Sequence, residues 1–297
     1  APGAKLVLLA FDHTYDASAR RQPDRSAFHT PDRYAHAIAH AHPDRFEWAA
    51  SIHPYREDCV EALEWAVRHR ARAVKWLPPA MGIDPASARC DRFYAAAARL
   101  AMPLLTHAGE EKAVHGAAEH ALGNPLKLRR ALDHGVRVVV AHCASVGHDI
   151  DLDRGENGPS AESFELFARL MDDPRYSGRL YGDISAIAQI NRPVASLRRV
   201  LERSDWHARL LNGSDYPLPG VLPLISVERL VAHGLLDASA AALLKELRAH
   251  NALLFDLALK RALHAGPRRF APGVFETREF FLRASAQPAS ATEPDAR

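Results

Sequence analysis

The chain of 297 residues predicts an α/β fold, a parallel barrel of the TIM (β/α)8 type. Three observations carry this expectation. Short apolar runs alternate with longer helical patterns seven times along the chain, which is the rhythm of strand–helix units. The runs are apolar on both faces, as suits parallel strands covered by helices. Several runs also end in a chemically active side chain: His107 after Leu104-Leu105-Thr106, His142 after Val139-Val140-Ala141, and Asp215 in Leu210-Leu211-Asn212-Gly213-Ser214-Asp215-Tyr216-Pro217. In a parallel barrel all such ends face one mouth, so residues distant in sequence converge there. A doubly wound open sheet is the competitor, but it gathers phosphate-binding glycines after its first strand. Here Asp12-His13-Thr14 follows instead.

Residues 5–11 are the first strand, closed by Asp12-His13. Residues 16–28 are polar and read as a loop. Thr30-Pro31 offers an N-cap with Pro at the first helical position, opening a helix that ends near Ala41. Residues 46–52 form the second strand, ending at His53-Pro54, with a helix over 57–70. Residues 71–76 form the third, and Asp84-Pro85 caps a helix reaching Ala101. Residues 102–106 form the fourth, and its helix spans 125–134 with Gly135 as the C-terminal stop. Residues 136–141 form the fifth, followed by a polar loop and a helix over 161–171. Residues 179–184 form the sixth, with Asp183 near its end and a helix over 193–202. Residues 209–212 form the seventh and deliver Asp215; helices then fill 226–233 and 238–263. Residues 1–283 read as one domain, and 284–297, rich in Ala, Ser, Pro and charge, as a disordered tail. A parallel barrel closes with eight strands. The expectation is therefore that the first barrel strand precedes Ala1, outside this sequence.

Composition narrows the function. Hydrophobic residues at 47% and charged residues at 25% can build an ordinary globular core, and a net charge of +2 gives no reason to expect nucleic acid or an anionic membrane as partner. No apolar run reaches about 18 residues, so no membrane span is expected. Cys59, Cys90 and Cys143 are odd in number and far apart, which fits reduced thiols in a cytoplasmic protein. Seventeen histidines are the one compositional hint of metal or proton chemistry.

Two imidazoles and a carboxylate at one mouth suit zinc or a similar divalent ion, which accepts nitrogen and oxygen ligands at roughly 2.0–2.2 Å. Bound metal lowers the pKa of its water to about 7, and a carboxylate beside that water can take its proton. Other groups are weaker candidates. His13 and His53 also end strands and are candidate pocket-lining, substrate-binding residues, as is Glu111 close after His107. His36 and His40 stand four apart on a helix but lack the glutamate of His-Glu-x-x-His and read as a solvated face. Asp149, Asp151 and Asp153 suggest a calcium loop that fails, because Arg154 stands where glycine is needed and Ser160 where glutamate is needed.

Taken together, Val74-Lys75-Trp76-Leu77-Pro78-Pro79, Leu105-Thr106-His107-Ala108-Gly109-Glu110-Glu111, Val140-Ala141-His142-Cys143 and Asn212-Gly213-Ser214-Asp215-Tyr216-Pro217 resemble the amidohydrolase superfamily. The nearest branch contains metal-dependent hydrolases and enzymes like aminocarboxymuconate-semialdehyde decarboxylase. Asn251-Ala252-Leu253-Leu254-Phe255 resembles the closing helix of the family, and the likeness runs over roughly residues 5–280. The resemblance implies a barrel holding one or two divalent metals at its strand mouths. It matches His107 to a metal ligand and His142 to a histidine that either binds metal or acts on substrate. It matches Asp215 to an aspartate that contacts metal and shuttles a proton. The family's His-x-His pair on the first strand has no counterpart here, and the first visible run corresponds to the family's second strand.

Lys75 has two readings. A carboxylated lysine on the corresponding strand bridges two metals in binuclear members. A plain lysine would hold a substrate carboxylate and needs no modification, and this reading is favoured. Either Lys75 or Trp76 faces the interior, since neighbours alternate across a sheet. The leading functional expectation is a metal-dependent hydrolase that cleaves an amide, lactone or similar C–N or C–O bond of a small molecule. Asp215 would be the proton shuttle, His107 a ligand and His142 a polariser of the carbonyl. One alternative is non-oxidative decarboxylation, with Lys75 or Arg192 holding the acid. Another is an inactive barrel fragment, since a sheet short of one strand keeps two edges. A homo-oligomer is compatible with all three.

Overall fold

A computed structural model describes residues 4–16, 18–110 and 120–284. Its parallel sheet contains β1 (Leu6–Leu9), β2 (Phe46–Ala49), β3 (Val74–Trp76), β4 (Leu104–Thr106), β5 (Val138–Val140), β6 (Leu180–Asp183) and β7 (Leu210–Leu211). Each strand lies beside the next in the chain. Leu8 pairs with Trp48, Lys75 with Leu105, Leu105 with Val139, Val139 with Tyr181, and Asp183 with Leu211. β2 and β3 are joined by a parallel bridge between Ala50 and Val74, where the Lys75 N–H donates to the Ala50 carbonyl at 2.7 Å.

The crossovers are α1 (Asp32–Ala41), α2 (Cys59–Arg68), α3 (Asp91–Arg99), α4 (Arg129–Asp133), α5 (Ser163–Asp172) and α6 (Val194–Glu202). After β7 come α7 (Val227–Ala232), α8 (Ala238–His250), α9 (Ala252–Ala262) and α10 (Thr277–Ala284). This sequential parallel order is the α/β, TIM-barrel-type topology read from the alternation. Among the described residues no ladder joins β7 back to β1.

Strand parity divides the side chains between two environments. Val74, Trp76, Leu104, Val138 and Val140 point outward and pack with Phe93, Leu132 and Phe167 of the helices in the main core. Ala49, Ala73 and Leu105 have the opposite parity and meet Phe280 and Phe281 of α10, together with Val7. Phe280 also packs on Tyr181 at 4.6 Å, Thr277 Oγ1 accepts the Asn212 N–H at 2.8 Å, and Arg278 reaches Glu47 at 3.2 Å. The last helix therefore lies along the inner face of the sheet, from β7 across to β1. Of the tail expected over 284–297, Ala284 ends α10 and residues 285–297 lie outside the described residues.

Several boundaries differ from expectation, among them three helix ends. Thr30 pairs through its backbone with Phe11 at 2.9 Å, Pro31 takes the N-cap position with no side-chain hydrogen bond, and α1 starts at Asp32. Asp84 closes a local turn on the Ala86 N–H at 3.0 Å, and α3 begins only at Asp91. The expected long helix over 238–263 breaks at extended Asn251, whose side chain caps the Leu254 N–H at 2.9 Å.

The ends of β1, β2 and β3 are tied by a buried polar lattice. Ser51 Oγ donates to the Lys75 carbonyl at 2.9 Å and accepts the Asp12 N–H at 3.0 Å. Asp12 Oδ2 takes the His53 N–H and Arg56 Nη1, both at 2.9 Å. Asp32 Oδ1 takes the Ser51 N–H at 2.8 Å. Burial, with the Asp12 carboxylate adding to it, pushes the Asp32 carboxyl up to about 7, against the opposing effects of the Ser51 N–H and Arg56. Between its ordinary 3.8 and about 7, the folded chain therefore keeps a proton that the unfolded chain has lost. Asp32 thus contributes most below that window, and its contribution falls as pH rises through it, by at most about 1.4 kcal/mol per pH unit. Asp32→Asn keeps the acceptor oxygen and removes the titration. Its stability relative to wild type, from urea unfolding, is expected to increase between about pH 5 and about pH 8. Parallel curves would exclude this ionisation as a source of the pH dependence.

Candidate active site

Three strand ends build the mouth, each through an unusual backbone. Behind β4, His107 donates its N–H to the Trp76 carbonyl at 3.1 Å, and the chain then turns at Gly109 with φ +80°. A Cβ on Gly109 would stand 2.5 Å from the Val146 carbonyl oxygen, so only glycine fits that close approach. Behind β5, His142, Cys143 and Ala144 are all left-handed, with φ of 55°, 52° and 48°. Such a conformation costs roughly 1–2 kcal/mol per non-glycine residue, and strain of this kind gathers at functional sites. Behind β7, Asp215 is also left-handed, with φ 55°, a region that Asp tolerates better than most residues.

The left-handed turn is held by Asp183 at the end of β6. Asp183 Oδ1 accepts the His142 N–H at 3.1 Å, the Ser185 N–H at 2.8 Å and the Ser185 hydroxyl. Gly182 makes room for this junction, since a Cβ there would meet Cys143 Sγ at 2.8 Å and Phe167 at 2.9 Å.

The His142 ring is oriented by the same pair of strand ends. Its Nδ1 lies 3.0 Å from the Ser185 carbonyl and 2.8 Å from Ser185 Oγ. A carbonyl only accepts, so Nδ1 carries the proton and Nε2 presents its lone pair. That lone pair faces Asp215 Oδ2 at 3.8 Å. The His107 ring stands edge-on to His142, with centroids 5.6 Å apart. Burial holds both histidines well below the usual pKa. At His107, His142, Lys75 and Arg192 lower it further, and at His142, Arg192 and Lys75 do the same. Both imidazoles are therefore neutral. An Nε2 without a proton cannot polarise a carbonyl by donation, so His142 is set up as a base or a metal ligand instead.

The parity of β3 is settled by Trp76. It is fully buried, packs on Phe93 at 4.9 Å and donates Nε1–H to the Ile52 carbonyl at 2.8 Å. Lys75 therefore faces the interior, where its charge is felt by both histidines. Arg192 adds a second cation from the loop after β6. It is buried, and Nη1 donates to Ser145 Oγ at 2.9 Å, three residues beyond His142.

The other expected site residues are placed differently. His53 is fully buried; Nε2–H donates to the Met81 carbonyl at 3.0 Å and Nδ1 accepts the Tyr55 N–H at 3.2 Å. Burial brings its pKa down to about 4. Both of its nitrogens are thus occupied by backbone partners. His13 stacks on His29 at 3.8 Å, with Nδ1 3.1 Å from Ser26 Oγ, on the β1 side of the mouth. Glu111 lies outside the described residues. Asp151 and Asp153, weighed above as a calcium loop, instead meet Arg169. Ser185 was not foreseen. Its signal is Asp183-Ile184-Ser185, an acid and a hydroxyl two apart at a strand end.

His107, His142 and Asp215 are the donor types that a divalent ion takes, and the two histidines are neutral, as ligation needs. Among the described residues no three His, Cys, Asp or Glu groups gather closely enough to hold a metal. The fit is to a two-donor face. His142 Nε2 and Asp215 Oδ2 are acceptors turned toward each other at 3.8 Å, an arrangement that a cation or a water proton between them relieves.

No curated protein sequence matches the chain. In fold it is similar to a Pseudomonas putida protein described as a 2-pyrone-4,6-dicarboxylic acid hydrolase, at 15% identity over 97% of this chain and 100% of that one, with a TM-score of 0.50. It is also similar to an uncharacterised TIM-barrel protein of Bordetella bronchiseptica, at 16% identity over 86% of this chain and 78% of that one, with a TM-score of 0.49. A 2,6-dihydroxybenzoate decarboxylase from Rhizobium follows at 12% identity over 76% and 95%, with a TM-score of 0.41. Likeness at such identities concerns the fold and leaves the reaction open. Membership rests on the match of residues 9–255 to the family model described as Amidohydrolase, a span holding all three strand ends: the chain belongs to the amidohydrolase family.

Proposed function

We propose that the chain hydrolyses a C–O or C–N bond, such as that of a lactone or amide, in a small molecule bearing a carboxylate. The observation that carries this reading is the pair of facing acceptors, His142 Nε2 and Asp215 Oδ2 at 3.8 Å, beside the cations Lys75 and Arg192. The facing acceptors suit a water that must lose a proton. The cations suit an anionic substrate and can bear charge developing on a carbonyl oxygen. Asp215 takes the proton from the attacking water, and His142, fixed by Ser185, keeps its lone pair on the same water. Arg192 and Lys75 hold the carboxylate and orient the scissile bond.

The family generally uses a divalent metal. Of the described residues, His142 and Asp215 would supply two donors to it, zinc suiting nitrogen and oxygen together, and a bound ion would make water more acidic. The two cations would also suit a decarboxylase, so the products must decide. The test is a panel of small lactones, esters and amides, each with and without a carboxylate, scored for acid release and for carbon dioxide. Turnover is expected for the carboxylated members, with release of acid. Arg192→Met is expected to lower kcat/KM on them by about 100-fold, the scale of an unmatched buried charge pair. Release of carbon dioxide together with the decarboxylated compound, the ester, lactone or amide bond left intact, or equal rates on neutral and carboxylated substrates, would overturn the reading.

A further inference from the structure

Behind the strand mouth lies an ion pair that the proposed chemistry does not use. Lys260 and Asp256 sit one turn apart on α9, 1% and 3% exposed. Lys260 Nζ donates to Asp256 Oδ2 at 2.6 Å and to the Gly213 carbonyl at 2.6 Å. Gly213 lies against the site. A Cβ there would lie 3.3 Å from Ser185 Cβ and 3.6 Å from Asp183 Oδ2, so its backbone rests on the pair that orients His142. Two residues later the chain enters the left-handed Asp215.

A buried ammonium with one carboxylate partner is a weak source of stability, because desolvation offsets the attraction. An apolar pair would fill the same space. What an apolar pair lacks is a donor for the Gly213 carbonyl. The field of the pair also reaches the site. The Asp256 carboxyl is pushed up first by burial and further by the carboxylates of Asp183 and Asp215, against the pull of Lys260.

We propose that Lys260, held by Asp256, is a positioning residue: by clamping the Gly213 carbonyl it fixes the approach of Asp215 to His142. The inference rests on the reading of Asp215 and His142 as the reacting pair. The test is the double variant Asp256→Asn/Lys260→Met, which removes both charges and strands neither. It is expected to unfold near the wild-type temperature, with kcat on the best panel substrate down at least about 10-fold and KM little changed. Amide hydrogen exchange over residues 212–217 is expected to quicken by about 10-fold or more. Wild-type kcat with wild-type exchange would overturn the proposal, since a merely structural pair can be replaced without moving either. Should the wild type turn over no panel member, the functional reading fails by itself. Exchange over 212–217 then decides alone, unchanged exchange overturning the positioning role. Should the double variant not fold, Lys260→Gln, which keeps a donor on a stem one bond shorter, is measured in the same way.

Discussion

Asp215→Asn is expected to lower kcat by about 100-fold to 10,000-fold, the usual weight of one general acid or base. Asparagine is the informative replacement because Asp215 is left-handed, with φ 55°. Asn enters that region nearly as readily as Asp, so the backbone that presents the side chain is kept. Alanine would confound a lost carboxylate with a strained turn. The Asp215 side chain is about one-third exposed, at 35%, and a substitution of this kind changes stability by roughly 0.5 kcal/mol or less. The melting temperature should thus move by no more than about 2 °C. An intact fold with a collapsed rate separates chemistry from folding. Metal analysis of the same variant adds a second reading. A fall in bound metal beside wild type would place Asp215 among the ligands as well as in proton transfer. Activity retained above one-tenth of wild type would remove Asp215 from the centre of the mechanism.

The strand mouth was legible in the sequence for a physical reason. A buried parallel strand must be apolar on both faces, so the first polar residue after it marks the mouth, and His107, His142 and Asp215 stood out by that rule. Lys75 and Trp76 were not separable, because either side chain can occupy either face of a strand. The decision came from packing, since the indole could bury its surface against Phe93 and reach the Ile52 carbonyl. The junction of Asp183 and Ser185 with His142 joins groups 41 and 43 residues apart. No periodicity reports such a contact. The Lys260 clamp on Gly213 spans 47 residues and escapes for the same reason. α10 was missed because Phe280 and Phe281 are adjacent and follow no helical stripe. They are its contact with the inner face of the sheet, and at eight residues the helix is too short for a period to stand out. Thr30 shows the opposite error, in which local capping chemistry was present but the helix begins one residue later, with Pro31 at the N-cap position.

Asp183→Ala is expected to cost the most stability of any single change at this site. One carboxylate oxygen collects two backbone N–H groups and a hydroxyl, all within the buried junction of β5 and β6. A hydrogen bond to a charged group is worth about 1.5–3 kcal/mol, and donors left buried without it carry a further cost. The same bonds hold a turn of three left-handed residues, His142, Cys143 and Ala144, which would otherwise relax. The loss should reach about 4 kcal/mol or more, lowering the melting temperature by roughly 8 °C in a chain of this length. Asp183→Asn distinguishes the two contributions. Its amide oxygen can accept the same three donors without the charge, so it should lose only about 1–2 kcal/mol. It should also keep the His142 tautomer, since the Nδ1 proton is fixed by the Ser185 carbonyl and not by Asp183. Urea unfolding of both variants provides the measurement. Equal losses in the two would mean that the charge, and not the acceptor geometry, holds the turn. A loss under about 1 kcal/mol in the alanine variant would mean that the left-handed turn is secured by packing around Cys143 alone.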